Sequence, residues 1–485
     1  MMTDARPQVI IRNCDSYDVP VIRAIIRDGL QQMQLQPRGR TLLKPNLVSS
    51  GELFEHAYTR AEFTEGVLLA LRDENKGAMT ELAVGERSGI TMPTRLIFKG
   101  AGYDKLVKRL GVKHYYFDEE QQVEFALQHA GRLRDYIFIP DVLTKTDFFV
   151  DCPKFKAHPW TTVTFSMKNY IGLQDDRHRM IDHHHHLNRK VADLQYVIQP
   201  QFIAIDAITA GQSRMLTPQP YDLKLIIMGN NRVAFDAVCC QIIGIDPLSV
   251  EHIRLAYERG FGPVELPQID ISGDVTLAQA AARGRNFKSG LIRVEDYFRD
   301  TKIKAYAGVP TKDEACDYCW GGCPGALEEA IEILRRFDQI TDAKMPPLHL
   351  VLGAYQGPID AKPGEKVVFI GDCAEWQGII GGEAVDIKRL PPKRARLDPH
   401  YAADADIFGK MLMVSGKLLQ TRSKKYLRLN GCPVGVAEQV LLLAYIGGAK
   451  NPYFDTRIEF DYLQSYLALH ARNLFSFRPY QKRQE

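Results

Sequence analysis

Thr41-Leu42-Leu43-Lys44-Pro45-Asn46-Leu47-Val48, a helical pattern over 61–72, and then Met79-Thr80-Glu81-Leu82-Ala83-Val84-Gly85-Glu86-Arg87-Ser88-Gly89 together decide the fold. Each apolar run is short and breaks into a polar turn marked by proline or glycine, and the amphipathic stretch between them has helical spacing. This is the βαβ rhythm of a parallel sheet, whose binding sites gather beyond the carboxyl ends of the strands. Pro45 has no N–H to give to a ladder, so Lys44 and Asn46 are expected at the mouth of their strand.

The rhythm extends in both directions. Pro7–Arg12 reads as a strand and Val19–Met33 as a helix; downstream come a helix over 93–101, a strand near Lys113–Phe117 and the apolar run Phe148-Phe149-Val150-Asp151-Cys152-Pro153. Phe202–Ile208 and Leu223–Gly229 read as further strands and Arg232–Ile243 as a helix, in whose apolar run Cys239 and Cys240 are ordinary buried thiols. A chain of 485 residues exceeds what one core organises. The expected architecture is α/β, with a mostly parallel sheet and flanking helices over residues 1–300. A smaller α/β domain follows over 301–485, in which 348–353 and 366–373 are strands.

Hydrophobic residues at 45% and charged residues at 25% describe a globular protein rather than a disordered one. A net charge of +3 gives no case for nucleic acid. The first residues lack the apolar core of a signal peptide and no run of eighteen apolar residues occurs, so a cytoplasmic protein without a membrane segment is expected. Nine cysteines, an odd number, fit reduced thiols and metal ligation better than a disulfide framework.

Lys154-Phe155-Lys156-Ala157-His158 and Ser166-Met167-Lys168-Asn169 bring lysines, a histidine, a hydroxyl and an amide close behind the 148–152 strand. Donors of these kinds at a strand end suit a carboxylate or phosphate. Lys44, Asn46, Lys154, Lys156, Lys168 and Asn169 are therefore candidate substrate-binding residues; the plainer reading of 154–172 is a solvated loop and helix start. His183-His184-His185-His186 cannot share one helical face, but His183 and His186 can. With His158 and the strand-end Asp206 they are the candidate proton-moving groups; a metal site or a structural role for the histidine run and a helix-capping aspartate are the alternatives.

Cys316-Asp317-Tyr318-Cys319-Trp320-Gly321-Gly322-Cys323-Pro324 opens a helical pattern and places three thiols within one turn. Glycines let the backbone approach a cluster, so an iron–sulfur site is the leading reading, with zinc and redox-active or structural thiols as the alternatives. Cys373, at the exit of an apolar strand, and Cys432, ahead of an apolar helix, are the candidates to complete the ligand set. Whether four of the five thiols or only three bind metal is open.

Leu43–Val48, Cys152–His158, Met167–Gly172, Phe202–Ile208, Ala234-Phe235-Asp236-Ala237-Val238 and Gly244-Ile245-Asp246-Pro247, in that order, resemble the domain of unknown function 362 family over roughly residues 8–262. The resemblance implies an appended iron–sulfur module. This chain departs from the usual ferredoxin pattern in having one cysteine run and two distant single cysteines, which favours one 4Fe-4S cluster in a distinct α/β domain.

The leading functional expectation is an iron–sulfur oxidoreductase acting on a small anionic substrate, with a redox partner protein. The alternatives are an electron carrier or cluster-delivery protein, a hydro-lyase with an open iron site, and a zinc-stabilised binding module. No Gly-x-Gly-x-x-Gly or Walker A loop supports a nicotinamide or nucleoside triphosphate, and flavin stays open.

Overall fold

The computed structural model describes residues 6–89, 92–179, 183, 186–290, 292–309, 322–391, 416, 425–452 and 456–475. The chain divides into two compact units: Met1–Arg179 with Asn188–Gly290 and Tyr462–Glu485, and Met180–Leu187 with Leu291–Asp461. The sequence suggests a division near 301; contacts put it at 290/291 and carry the end of the chain into the first unit.

The first unit holds strands β1 (Gln8–Asn13), β2 (Gly39–Pro45), β3 (Met79–Glu86), β4 (Lys113–Tyr116), β5 (Gln122–Ala126), β6 (Tyr136–Pro140), β7 (Phe148–Cys152), β8 (Lys154–His158), β9 (Thr162–Val163), β10 (Phe202–Gln212), β11 (Gln219–Gly229) and β12 (Asp270–Gly273). Ten of them form one sheet in the order β12-β1-β11-β10-β7-β2-β3-β4, with β8 joined to β10 and β9 to β8. β10, β7, β2, β3 and β4 run parallel, whereas β11 is antiparallel to both β10 and β1. The sheet is thus mostly parallel, with an antiparallel insertion toward one edge. β5 and β6 form a separate antiparallel hairpin that the sequence reading lacks, because half-buried residues such as Gln122 and Glu124 interrupt its apolar pattern.

Two helices cover one face. Helix α1 (Val19–Gln32) starts at Asp18, whose carboxylate accepts the Val21 N–H, and buries Ile22, Ile26 and Leu30, spaced four apart. Helix α2 (Ala61–Asp73) buries Phe63, Val67 and Leu71, and the two rows pack into one core with Leu43, Val84 and Val150. Gly66 sets how near the helices come, since a Cβ there would lie 2.4 Å from Ile22 Cγ2 and 2.8 Å from Ile22 Cβ.

The second unit contains β13 (Ile303–Ala307), β14 (Leu348–Ala354), β15 (Lys366–Ile380), β16 (Glu383–Ile387) and β17 (Tyr426–Leu429), ordered β13-β14-β15-β16 with β17 also on β15. The β13, β14 and β17 ladders are parallel, and β16 folds back antiparallel on the far half of β15. Both sheets make the chain α/β. No helix among the described residues is long and apolar enough to cross a membrane.

Gly66→Ala is expected to destabilise the protein by about 1–3 kcal/mol through overpacking, even though alanine is the better helix former by roughly 1 kcal/mol. Urea denaturation measures it, and an unchanged or raised midpoint would refute the close-approach role.

Candidate functional site

The strand order reverses between β2 and β7: β3 and β4 continue to one side of β2, and the chain then returns to lay β7 on the other. In a parallel sheet such a reversal opens a crevice at the carboxyl ends. Register places Lys44 beside Asp151 and Pro45 beside Cys152, the last residues of both strands.

Lys44 is fully buried and donates to Glu86 Oε2 at 2.9 Å, Asn169 Oδ1 at 3.1 Å and the Pro45 carbonyl at 3.1 Å. Glu86 also accepts the Leu47 and Arg87 N–H groups at 3.1 and 2.8 Å. Burial pushes the Glu86 carboxyl up, and the Lys44 charge with these donors pulls it back. Asn169 donates to Asp151 Oδ1 at 2.7 Å and the Ser166 hydroxyl to Asp151 Oδ2 at 2.6 Å. Burial raises Asp151 to about 6 against the Lys44 charge. The two oxygens of Asp236 take the Ser166 and Met167 N–H groups at 2.9 and 3.0 Å, pinning the start of helix Phe165–Asn169. Gly172 is required here, because a Cβ would fall 2.3 Å from Glu86 Oε1 and 3.1 Å from Lys44 Nζ.

A second buried cluster sits where β8 joins β10, in register Asp206 with Lys154. Lys154 donates to Asp206 Oδ2 at 2.8 Å and to the Tyr17 hydroxyl at 3.1 Å, while Tyr17 donates to Asp206 Oδ1 at 2.8 Å and the Arg60 N–H to Oδ2 at 3.2 Å. Burial lowers Lys154, and burial with the Asp206 charge holds Tyr17 well above its usual range. Lys156 Nζ is capped by the carbonyls of Ala57 at 2.9 Å and Met215 at 3.2 Å. His158 is buried and accepts the Trp160 N–H on Nδ1 at 3.1 Å. Asn46 closes the turn after β2, accepting the Val48 N–H on its side chain at 3.3 Å. All five residues of β8 are buried, which replaces the solvated-loop reading of 154–158: internal acceptors hold its cations out of water.

Lys168 differs from these lysines. It is half-buried and contacts no carboxylate among the described residues. Burial drives its pKa well below the usual lysine range, and the charges of Lys156 and Arg179 add to the fall. Burial and then the Lys168 charge push His252, hydrogen-bonded through Nδ1 to Asn188 at 2.9 Å, down to about 3, so that ring is neutral. The segment delivering Lys168 is strained: Thr162 and Phe165 adopt φ of +64° and +39°. Such backbone costs about 1–3 kcal/mol per residue and collects at functional sites.

Sequence reasoning missed Asp151, Glu86 and Tyr17, although Asp151 and Glu86 ending apolar strands were the available signal; the Ser166 hydroxyl, counted there as an anion donor, goes to Asp151. His183 and His186 are half-buried and group by contacts with the second unit, not with the unit holding these lysines.

In the second unit Cys323 opens helix Cys323–Phe337, and its sulfur accepts the Val434 N–H at 3.2 Å. Gly371, at φ +100°, lies between thiols: a Cβ there would be 3.2 Å from Cys323 Sγ and 3.6 Å from Cys373 Sγ. The turn carrying Cys432 is tied to the same strand, Asp372 N–H donating to the Gly431 carbonyl at 2.8 Å and Gly431 N–H to Asp372 Oδ1 at 2.9 Å. Burial raises the Cys373 thiol, and the Arg389 charge is among the opposing effects. Among the described residues no group of three or more His, Cys, Asp or Glu is arranged to hold a metal ion, and Cys316 and Cys319 lie outside those residues.

The first unit is thus a switch-point α/β domain with a buried ionic network at the crevice. Residues 41–241 match the family model described as Domain of unknown function (DUF362), which supports the resemblance read from the sequence over that segment. No curated protein matches the chain. Among solved structures it is similar to the lactate racemase apoprotein from Thermoanaerobacterium thermosaccharolyticum, at 12% identity and a TM-score of 0.34, over 50% of this chain and 59% of that one.

Lys44→Met leaves the Glu86 carboxylate buried without its cation and is expected to cost about 3–5 kcal/mol. The double variant Lys44→Met/Glu86→Leu should recover most of that loss. Equal destabilisation of single and double variants in denaturant melts would remove the pair from its structural role.

Proposed function

We propose that the protein is an iron–sulfur-dependent enzyme, of redox class, acting on a small carboxylate- or phosphate-bearing substrate. The observation carrying the substrate side is the contrast among the lysines: Lys44 and Lys154 are neutralised by Glu86 and Asp206 within the fold, whereas among the described residues Lys168 meets burial and like charge. An ammonium in that position gains most from an incoming anion, because the anion supplies the counter-charge the fold withholds. Lys168 would bind and orient the anionic group, with the neighbouring charges of Lys156 and Arg179 adding to the local field. Asn169, tied to Lys44 and Asp151, would fix the helix that presents it.

For the cofactor, the donor set fits: thiols of Cys323 and Cys373 border a space kept open by Gly371, and a main-chain N–H already points at one sulfur. Cys432, Cys316 and Cys319 are the proposed remaining ligands, and a cluster there would supply electrons. A purely electron-carrying role has no use for such a lysine, whereas a hydro-lyase with an open iron site would use it in the same way.

Two measurements test the reading. Sulfate, which does not titrate near neutrality, should bind with uptake of a proton, because the anion raises the depressed Lys168 pKa. The sign follows: affinity falls as pH rises, since the lysine's proton must then be drawn from a more alkaline solution. Calorimetry in buffers of different ionisation enthalpy reads this directly. Lys168→Met should lose about tenfold or more in affinity, roughly 1.4 kcal/mol per decade, and Lys168→Arg should keep binding without proton uptake. Binding unchanged in Lys168→Met would sink the anion site. Separately, anaerobically purified protein should contain iron and acid-labile sulfide, reduced in Gly371→Val; absence of both from the unsubstituted protein would end the cluster proposal.

A further inference from the structure

The second unit carries a hydrogen-bonded chain that neither the lysine site nor the thiols use. Parallel register sets Lys304 opposite His349 and His349 opposite Val367. Side chains alternate along a strand, so Tyr306, two residues beyond Lys304, and Glu365, two before Val367, share a face with His349 and reach it diagonally. The Tyr306 hydroxyl lies 2.9 Å from His349 Nδ1, and His349 Nε2 lies 2.9 Å from Glu365 Oε2. Glu365 also accepts the Lys362 N–H at 2.9 Å, which fixes its carboxylate. With the carboxylate accepting from Nε2–H, Nδ1 carries the lone pair and the tyrosine hydroxyl is the donor. His349 is buried, whereas Tyr306 is half-buried and packs against the half-exposed ring of Tyr355 at 5.1 Å.

We infer that Tyr306, His349 and Glu365 form a nucleophile, base and orienting carboxylate, a second reactive site whose substrate class is an activated acyl donor with a flat apolar group. A hydroxyl within reach of an imidazole that a third group orients is the general arrangement of an activated oxygen nucleophile. The Tyr306 oxygen attacks the acyl carbon as its proton passes to His349 Nδ1. The Tyr306–acyl bond forms, the bond to the leaving oxygen breaks, and the leaving group takes the proton from His349. Nothing is oxidised or reduced. Tyr355 supplies an aromatic surface for the apolar group, and it is also an internal comparison: among the described residues its hydroxyl donates to the Pro358 carbonyl, at 3.4 Å, and meets no base.

The test uses the full chain and a benzenesulfonyl fluoride, which sulfonylates activated hydroxyls with loss of fluoride. Peptide mass spectrometry should find Tyr306 modified at least tenfold faster than Tyr355. His349→Gln should slow Tyr306 labelling more than tenfold while leaving Tyr355 unchanged, and Glu365→Gln should slow it severalfold. Thermal melts identify any variant that has unfolded, and the more exposed Glu365 keeps the test decisive if His349→Gln does not fold. Tyr306 reacting no faster than Tyr355, or a folded Glu365→Gln variant reacting at the unsubstituted rate, would overturn the inference and leave the trio as a satisfied buried histidine.

Discussion

The Lys44–Glu86 ion pair is the constraint on which the first unit depends. Both side chains are out of water, 0% and 3% exposed, and meet at 2.9 Å. Taking two charges from water costs several kcal/mol per ion, and their attraction repays that only when every remaining donor and acceptor is filled. Here they are filled from three directions: the turn after β2 gives the Leu47 N–H, the end of β3 gives the Arg87 N–H, and Asn169 gives its carbonyl oxygen. The pair therefore locks together the ends of β2 and β3 and the helix packed over them. It also dictates sequence at a distance, for Gly172 has no side chain because one would occupy the Glu86 oxygen's place.

This arrangement separates charge that builds the fold from charge that remains available. Lys154 with Asp206 and Tyr17 repeats the Lys44 solution one strand further on. Lys156 reaches a weaker form of it through two carbonyls. Lys168 lies only one residue from Asn169, yet it receives none of this compensation among the described residues. The strained backbone at Thr162 and Phe165 leads into the same helix. A fold that stabilises three cations and strains the chain to present a fourth is spending stability at one place, and such places are where function is found.

Much of the first sheet was legible, because β2, β3, β7, β10 and β11 contain continuous apolar runs that parallel, doubly covered strands require. β8 was not. Lys154-Phe155-Lys156-Ala157-His158 alternates polar and apolar residues, which in isolation describes a strand with one wet face or a solvated loop. Its polar face is instead buried against Asp206 and main-chain carbonyls, and those partners lie some fifty or more residues away in sequence. Pairing of that kind leaves no local trace. The lysines were consequently grouped by composition as one anion site, although their partners divide them into structural and available charges. In the second unit the approach of Cys323 to Cys373 turns on Gly371, at φ +100° inside β15; the sequence names both thiols as co-ligands, but not the backbone conformation that brings them together.

The same reasoning ranks the polar groups of the second unit's sheet. A histidine on a buried strand normally ends its hydrogen bonds on main-chain groups or on a single partner, and nothing chemical follows. His349 spends both nitrogens on side chains, and the two partners differ in kind. Glu365 is a carboxylate held by a main-chain N–H, a fixed and purely accepting group. Tyr306 is a donor at the half-buried end of the chain of bonds, where burial and the nearby Tyr355, Asp360 and Glu365 push its hydroxyl up to about 12. A phenol that resists ionisation, beside a base already oriented to take its proton, transfers that proton only as a new bond forms at its oxygen. An accepting carboxylate on one side of the buried imidazole and a donating phenol on the other are therefore what distinguish a reactive site from a merely satisfied one.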